Sequence, residues 1–516
     1  MKKKLIIIFQ LISINIFCQD TISFKEPLNI IAIEKVPTVV SRLNIMQSDN
    51  LIINGITYCT NELSTSPVVT ILAKNSEGKE SNFEYKRLGS FIFQDINNIN
   101  KQWDKKMLQL GTFSNLVMKG YQYDLREELN SEASDYINTL SNNYKFFDDE
   151  YLEDYMYTLI NKIHNGIQND KRPGNIYLKI VRDNQPNAFA LPNGCLVVST
   201  GLLSTIQSED ELIGILAHEV AHFALDHSIL NYNKEKERRK RAEFWAIFAS
   251  VVAAGADVLM SVNDNNHTAG ILTASTAILA SVFTDEIVNR LSIKYSQAQE
   301  IEADFAAKEV LEILNYDKLG LSIALSRIKN YCIKTGNYLA LSGSGTHPSL
   351  DKRIMNMGTP INIDKYSQPS FLKKVSFINS YNAWIELWYF AHHQAALDLV
   401  HRNILNNVAT ETDFIIKAVV NRRTSNTIQS NESVLFDLTK AKSLNVIPNF
   451  MIFKEEGITY IRLEKKLEAK KSFQTYLTSL MELREKNDIK EIKNRNKGLE
   501  EEINWTKKMI FKVDNL

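Results

Sequence analysis

The sequence lacks an excess of either charge. Lys and Arg total 60 residues and Asp and Glu also total 60, so the formal net charge is zero. Nucleic-acid binders usually carry a basic excess, and no overall charge attracts this chain to an anionic membrane surface. We therefore expect no nucleic-acid partner.

Cysteine is also scarce, with four residues in a chain of 516. Cys18 closes an N-terminal apolar run, which leaves Cys59, Cys195 and Cys332, an odd number of widely separated residues. A disulfide framework and a cysteine-based zinc site are both excluded, because the required pairs and spacings are missing. We expect these three side chains to be small buried hydrophobes.

The N-terminus has no apolar run long enough to span a membrane. Three lysines at residues 2–4 precede an apolar run from Leu5 to Phe17. As a helix this run would be about 20 Å long, whereas a span needs roughly 30 Å. The pattern predicts a secretory signal peptide over residues 1–18, cleavage after Cys18 and a periplasmic mature chain. A lipid on Cys18 and a retained anchor are the alternatives, and both also place the chain outside the cytoplasm.

The length of 516 residues favours two or three domains. Short β-like runs such as Leu51–Ile56 and Val68–Leu72 lie in the first part of the chain. Helical periodicity begins near residue 125 and dominates beyond about residue 370. We predict an α+β protein with a β-rich N-terminal module (19–120), a mostly helical central domain with a small sheet (121–360) and a helical C-terminal domain (370–516).

The C-terminal part has the spacing of a tetratricopeptide repeat, a helix pair of about 34 residues. The matching positions are Gly457, Tyr460, Ala469 and Phe473, with a weaker copy at Leu387, Ala396 and Val400. Two copies do not establish an array, because ordinary helix pairs also alternate alanine with aromatic residues. We predict a degenerate repeat domain with a surface suited to a protein partner.

Two apolar segments, 244–262 and 270–283, are compatible with a membrane hairpin or with a hairpin packed against the protein. Asp257 interrupts the first segment, and the second is about 14 residues, which is short for a span. A basic stretch at 234–241 would lie on the non-cytoplasmic side, against the positive-inside tendency. The packed hairpin is favoured, and association with a membrane surface remains open.

The chain contains one HExxH motif, from His218 to His222. With nine histidines in the chain, chance alone would give this motif in roughly one such chain per hundred. On a helix, His218 and His222 project from one face and can share a Zn²⁺ ion at about 2.0–2.1 Å. Glu219 lies about 100° around the helix, poorly placed to ligate and well placed to act on a water at the metal. A Ser208/Glu211 capping box predicts where this helix begins.

The motif alone does not supply a third ligand, which a catalytic zinc requires. A metzincin would have a histidine at residue 228, which is serine here. His227 is off register, and we expect it to lie near the end of the helix and favour its C-terminal dipole.

A downstream helical stretch offers the third ligand. Glu300 and Asp304 are four residues apart and share one face, whereas Glu302 points away and is expected to be solvated. Glu300 is the candidate ligand, and Asp304 can accept the free N–H of a ligating histidine. Small residues at 303, 306 and 307 would allow close approach to the His218 helix.

These residues together resemble metallopeptidase family 48, a gluzincin family, over about residues 125–357. The four matching stretches are 187–203, 218–227, 299–304 and 346–349 with Arg353 beyond it. Their order and spacing make the match specific. The resemblance implies a mostly helical gluzincin catalytic domain and one Zn²⁺ per chain held by His218, His222 and Glu300.

The resemblance also implies roles for residues outside the zinc helix. Asn187, Ala188, Phe189 and Ala190 begin a segment, running to Ser199, that resembles the edge strand along which a substrate backbone pairs. His347 resembles a histidine that approaches the zinc as a fourth ligand or stabilises the reaction's oxyanion. Arg353 would hold the loop that carries it.

The implied reaction is hydrolysis of peptide bonds in exported, misfolded or unassembled proteins. Glu219 would take a proton from a zinc-bound water and pass it to the leaving amine. Two alternatives remain open at this point. One is a chaperone-like binding protein whose loop keeps the zinc site closed, and the other is a membrane-anchored peptidase.

Overall fold

The computed structural model describes residues 16–39, 44–61, 64–143, 145–164, 175–235, 295–336, 349–486 and 493–515. Most of the predicted signal peptide, the two apolar segments between 244 and 283, and His347 lie outside these residues. Among the helices that are described, none combines the length and apolarity that crossing a bilayer requires.

The N-terminal region is rich in strands, as predicted. Five antiparallel strands form a sheet in the order β6-β5-β4-β1-β7, and two short strands, β2 and β3, form a separate ribbon. The strands are β1 Ile16–Ala32, β2 Val36–Pro37, β3 Asn44–Ile45, β4 Asn50–Asn61, β5 Ser64–Asn75, β6 Phe83–Glu84 and β7 Phe91–Gln94. A 3-10 turn at Tyr85–Ser90 separates the last two strands.

This sheet has one face in the core and one face toward solvent. Buried and more exposed residues alternate along β1, and the buried ones are Ile22, Phe24, Leu28, Ile30 and Ala32. Two helices, α1 (Ile99–Gln109) and α2 (Thr112–Lys119), cover the buried face. The resulting core continues into the next part of the chain, so the module packs directly on the central domain.

The central domain is built from helices around a small mixed sheet. Strand β10 lies at its centre, parallel to β8 and antiparallel to β9. Its elements are α3 Tyr123–Asn142, α4 Glu150–Ile163, β8 Tyr177–Val181, β9 Ala188–Ala190, β10 Cys195–Ser199, α5 Thr200–Thr205, α6 Glu209–Ala224, α7 His227–Glu235, α8 Gln297–Ile313, α9 Gly320–Thr335 and α10 Leu350–Met357. Of the segment 187–199, predicted as an edge strand, only Ala188–Ala190 lies at an edge of the sheet, because Cys195–Ser199 has a neighbour on each side.

Helix α6 carries the HExxH motif; it begins after the predicted cap, Ser208, but ends earlier than predicted. The Ser208 hydroxyl accepts the Glu211 N–H at 3.2 Å, but the Glu211 carboxylate bonds Arg327 and the Gln207 N–H instead of completing a capping box. The helix ends at Ala224, because Asp226 adopts a left-handed conformation with φ 59°. Arg126 holds Asp226 there through a two-pronged ion pair of 2.9 and 2.5 Å.

Close packing fixes α6 in the centre of the domain. Ala303, Ala306 and Ala307 of α8 are fully buried and let that helix lie against α6, as predicted. On another side, Gly214 meets the start of α9 so closely that a Cβ would lie 2.6 Å from the Leu321 amide nitrogen. The buried thiol of Cys195 is an inert hydrophobe, because burial raises its pKa to about 12.

The C-terminal domain is helical, as predicted, and each helix packs on its neighbour in sequence. After a 3-10 turn at Ile363–Tyr366 come α11 Pro369–Lys374, α12 Ser376–Trp388, α13 His393–Leu405, α14 Glu411–Thr424, α15 Ile428–Lys442, α16 Met451–Arg462, α17 Lys466–Lys486 and α18 Lys493–Asp514. Gly457 of α16 lies directly against the ring of Phe473 of α17. A Cβ added at Gly457 would be 2.7–2.8 Å from atoms of that ring. The degenerate tetratricopeptide-like repeat itself stays a prediction.

The contact between α6 and α9 gives a prediction about stability. In Gly214→Ala, the new methyl group would press on backbone atoms of Leu321, which cannot rotate away. We expect the variant to lose about 1–3 kcal/mol of stability through overpacking, although alanine is the better helix former. Thermal unfolding followed by circular dichroism measures this.

Gly89→Ala is the matched control, because nothing lies within 4 Å of its added methyl group. Its stability should change by less than about 0.5 kcal/mol. An unchanged melting temperature for Gly214→Ala would contradict the close approach of the two helices.

Candidate metal centre

Three buried ligand atoms converge between α6 and α8. The Nε2 atoms of His218 and His222 are 3.1 Å apart, and Glu300 oxygens lie 3.6 Å from the first and 3.9 Å from the second. A tetrahedral zinc with bonds near 2.05 Å separates its ligands by about 3.3 Å. Within the part of the chain that the structure describes, this is the one such cluster of three metal-ligating side chains.

The hydrogen bonding of the two imidazoles indicates that a cation belongs between them. His218 Nδ1 lies 3.0 Å from Asp304 Oδ1, and His222 Nδ1 lies 2.8 Å from His227 Nδ1. A proton on each Nδ1 leaves the two Nε2 lone pairs facing each other beside the Glu300 carboxylate. The two neutral imidazole nitrogens and the carboxylate oxygen of Glu300 are all buried. Their number, type and spacing suit Zn²⁺.

Arg353 links the two acidic residues of α8. Its guanidinium contacts both Asp304 oxygens, at 2.6 and 3.0 Å, and lies 3.2 Å from Glu300. Burial raises the pKa of Asp304, but the Arg353 and His218 charges outweigh burial and lower that pKa to about 2. Asp304 therefore stays ionised and can accept the His218 N–H.

The structure places the predicted residues of this cluster together, with one exception. His347 and the loop before α10 lie outside the described residues, so its approach to the metal stays a prediction. A role of Arg353 in holding that loop likewise stays a prediction, and its described partners are the carboxylates of α8 and the ring of His218.

Glu219 faces the edge strand and takes no part in the cluster of ligands. Its Oε2 accepts the backbone N–H of Ala190 at 3.2 Å. Burial raises the pKa of Glu219 to about 7, with Glu300 adding to the rise and His218 and Arg353 opposing it. A carboxylate with a pKa in this range can both take up and release a proton near neutral pH.

The prediction for His227 was wrong. The left-handed Asp226 ends α6, so His227 begins α7 and turns its ring toward His222 instead of capping a helix. Its Nε2 lies 3.4 Å from Glu302. The Glu302 side chain is thus partly exposed to solvent and also has His227 as a partner.

Sequence reasoning missed Tyr295, whose ring stacks on His222 with 3.6 Å between centroids and 8° between planes. Its hydroxyl lies 3.2 Å from the Ser228 hydroxyl. The signal available in the sequence was its position directly before Ser296, which with Gln299 forms the capping box of α8. That box fixes the start of the helix and so places Tyr295 against α6.

Comparison with known proteins agrees with this geometry. Peptidase family M48 matches residues 150–360, the region that contains all three candidate ligands. Residues 150–360 therefore form a peptidase family M48 domain.

Proteins similar to this chain include peptidases from bacteria and a fungus. The mitochondrial metalloendopeptidase OMA1 of Schizosaccharomyces pombe is 29% identical over 178 residues, which is 34% of this chain and 44% of that protein. A putative beta-barrel assembly-enhancing protease of Vibrio cholerae is 27% identical over 222 residues, covering 42% and 41%. The metalloprotease YcaL of Escherichia coli K12 is 28% identical over 160 residues, covering 31% and 54%. The chain thus spans about half the length of these relatives.

Replacement of Glu300 tests the ligand set of this M48 domain. In Glu300→Gln the anionic ligand becomes a neutral amide, so we expect zinc affinity to fall by more than the 10- to 100-fold typical of outer-shell changes. Zinc content after dialysis and competition with a chromogenic chelator measure the loss.

The exposed Glu312 lies on the same helix and provides the control variant Glu312→Gln. It should bind zinc like the wild type. Equal zinc content in both variants would remove Glu300 from the ligand set.

Proposed function

We propose that the chain is a zinc-dependent metalloendopeptidase that cleaves exported proteins. The observation that carries the proposal is the buried cluster of His218, His222 and Glu300 with Glu219 beside it. Membership of a peptidase family and relatives named as metalloendopeptidases support the same activity.

His218, His222 and Glu300 would hold one Zn²⁺ ion. When bound, Zn²⁺ supplies Lewis-acid polarisation of the scissile carbonyl and acidifies a water. The protein's own part is to hold these ligands rigidly: Asp304 orients the ring of His218, and Tyr295 stacks on His222.

Glu219 would act as general base and then as general acid. Its carboxylate takes a proton from the attacking water and gives it to the leaving nitrogen, so it ends each cycle in its starting state. The hydrogen bond from the Ala190 N–H fixes one oxygen of this carboxylate beside strand β9. The proton acceptor is thereby placed next to the proposed substrate site.

Strand β9 and the preceding Asn187 would bind the substrate backbone. The N–H groups of Ala188 and Ala190 bond to side chains, Asn187 and Glu219, instead of to β10. Phe189 between them is buried against Tyr136. These N–H groups thus point away from β10, toward the side on which an extended peptide would add with modest side-chain preference, while the Phe189 side chain anchors the strand.

Exported proteins are the proposed substrates, and the periplasm is the proposed location. The predicted signal peptide supports export, and one relative is named for enhancing beta-barrel assembly. A membrane-anchored peptidase with residues 244–283 facing the lipid is the alternative for the mature protein. Carbonate extraction separates the two, since an anchored protein stays with the membrane and a soluble one is released.

The C-terminal helices would hold a protein partner or substrate next to the catalytic domain. Their first pair is fixed on that domain by buried hydrogen bonds, from Asn382 to Ser204 at 2.8 Å and from Asn184 to Glu386 at 3.1 Å. The close packing of α16 on α17, where Gly457 lies against the buried Phe473, supports this role.

Replacement of Glu219 tests the proposed activity. Glu219→Gln removes the proton acceptor and leaves the three ligands in place, so casein cleavage should fall by about 10²- to 10⁴-fold. Zinc content should match that of the wild type. The Glu312→Gln variant controls for loss of a glutamate and should cleave normally.

Cleavage of casein by Glu219→Gln at the wild-type rate, with zinc bound, would rule out this mechanism. Retention of cellular function by an inactive Glu219→Gln protein would favour the chaperone-like alternative.

A further inference from the structure

The two histidine ligands are supported in different ways. His218 Nδ1 faces a carboxylate, Asp304, which Arg353 holds on both oxygens. His222 Nδ1 faces a second imidazole, the Nδ1 of His227, at 2.8 Å. An imidazole can either donate or accept at a given nitrogen, so this second contact depends on where the protons lie.

The direction of the His222–His227 hydrogen bond follows from the metal site. His222 must offer an Nε2 lone pair to the metal, so its proton lies on Nδ1 and is donated to His227. The acceptor nitrogen of His227 then carries no proton, and the proton of that ring lies on Nε2.

Glu302 lies where that remaining proton needs an acceptor. The distance from His227 Nε2 to Glu302 Oε2 is 3.4 Å, and the His227 side chain is 2% exposed against 37% for Glu302. A buried ring N–H is thus directed to a carboxylate that water can still reach. We propose that His227 and Glu302 are positioning residues that fix the tautomer and orientation of the ligand His222.

The main chain holds His227 in this place independently of the metal. The left-handed Asp226 directly before it is fixed by the Arg126 ion pair. The carbonyl of His227 accepts from the Gln299 side chain at 3.5 Å, which ties it to the start of α8. The acceptor is therefore in position before zinc binds.

Tyr295 closes the other side of the His222 ring. It stacks on that ring at 3.6 Å, whereas His227 approaches the ring edge at an angle of 66° between planes. Stacking restrains the plane of the imidazole but leaves its tautomer undefined. The hydrogen bond to His227 defines the tautomer of His222, which stacking leaves undefined.

Two replacements of His227 separate hydrogen bonding from packing. The amide oxygen of His227→Asn lies near the position of Nδ1 and can still accept, whereas His227→Phe keeps the ring volume and loses the acceptor. We expect the phenylalanine variant to bind zinc about 10- to 100-fold more weakly, and the asparagine variant to stay within a few-fold of the wild type. A packing role alone predicts the reverse order.

The measurements do not depend on turnover. Zinc affinity is obtained by chelator competition on the full-length protein, and the visible spectrum of the Co²⁺-substituted protein reports ligand geometry. We expect a changed spectrum for His227→Phe and a spectrum close to the wild type for His227→Asn. Thermal unfolding of the metal-free proteins shows whether each variant is folded.

Glu302→Ala provides a second test that leaves the buried ring in place. It should weaken zinc binding in the same direction as His227→Phe but by less, because water can replace the exposed carboxylate. Glu312→Ala on the same helix is its control.

The inference rests on the proposed metal centre, and its failure can be distinguished from failure of that centre. Tight zinc binding by the wild type and equally tight binding by His227→Phe and Glu302→Ala would overturn the positioning role alone. A wild type that binds no zinc would overturn both.

Discussion

The burial of helix α6 is the constraint on which the rest of the catalytic domain depends. Every residue from Glu211 to Ala224 is buried, including the three polar side chains of the motif. Buried polar groups must be hydrogen-bonded, because an unpaired one costs roughly 1–3 kcal/mol. The elements around α6 are accordingly arranged to supply a partner to each motif residue.

Each partner comes from a different part of the chain. Asp304 of α8 contacts His218, and His227 of α7 contacts His222. The Ala190 N–H of the edge strand donates to Glu219. The motif therefore fixes the positions of three surrounding elements at once. The proposed zinc ligands, proton acceptor and substrate strand are brought together by the same requirement.

The negative charges on α8 place a second condition on the site, because they need a cation nearby. Glu300 and Asp304 lie on one face of α8, and two buried carboxylates would repel each other without a cation. Arg353 contacts both of them, which explains why α10 returns to this site from the far end of the domain. Removal of one partner from a buried ion pair is destabilising, because the remaining charge is left without a partner.

The sequence was sufficient for the parts of the site that depend on local helical spacing. His218 and His222, and then Glu300 and Asp304, are each four residues apart on a regular helix, so their shared faces could be predicted. The alternation in β1 and the alanines of α8 likewise follow from local periodicity. The α+β class could be predicted for the same reason.

The contacts of His227 could not be predicted in this way. Helical spacing extended past Ala224 places that ring on the wrong side, and only the left-handed Asp226 turns it toward His222. An aspartate in this conformation is stabilised by Arg126, one hundred positions earlier in the chain. A long-range ion pair of this kind leaves no periodic signal, and the Tyr295 stacking on His222 is a tertiary contact of the same sort.

Helix α9 connects the site to the C-terminal helices. Arg327 binds the Glu211 carboxylate at the start of α6, and Tyr331, one turn further along α9, donates to Glu386 of α12 at 2.7 Å. The same helix meets the α6 backbone at Gly214 without an intervening side chain. The first C-terminal helix pair is therefore tied through one rigid element to the helix of the HExxH motif. Because these contacts are close and mostly buried, a protein held by the C-terminal helices would keep a defined position relative to the proposed zinc.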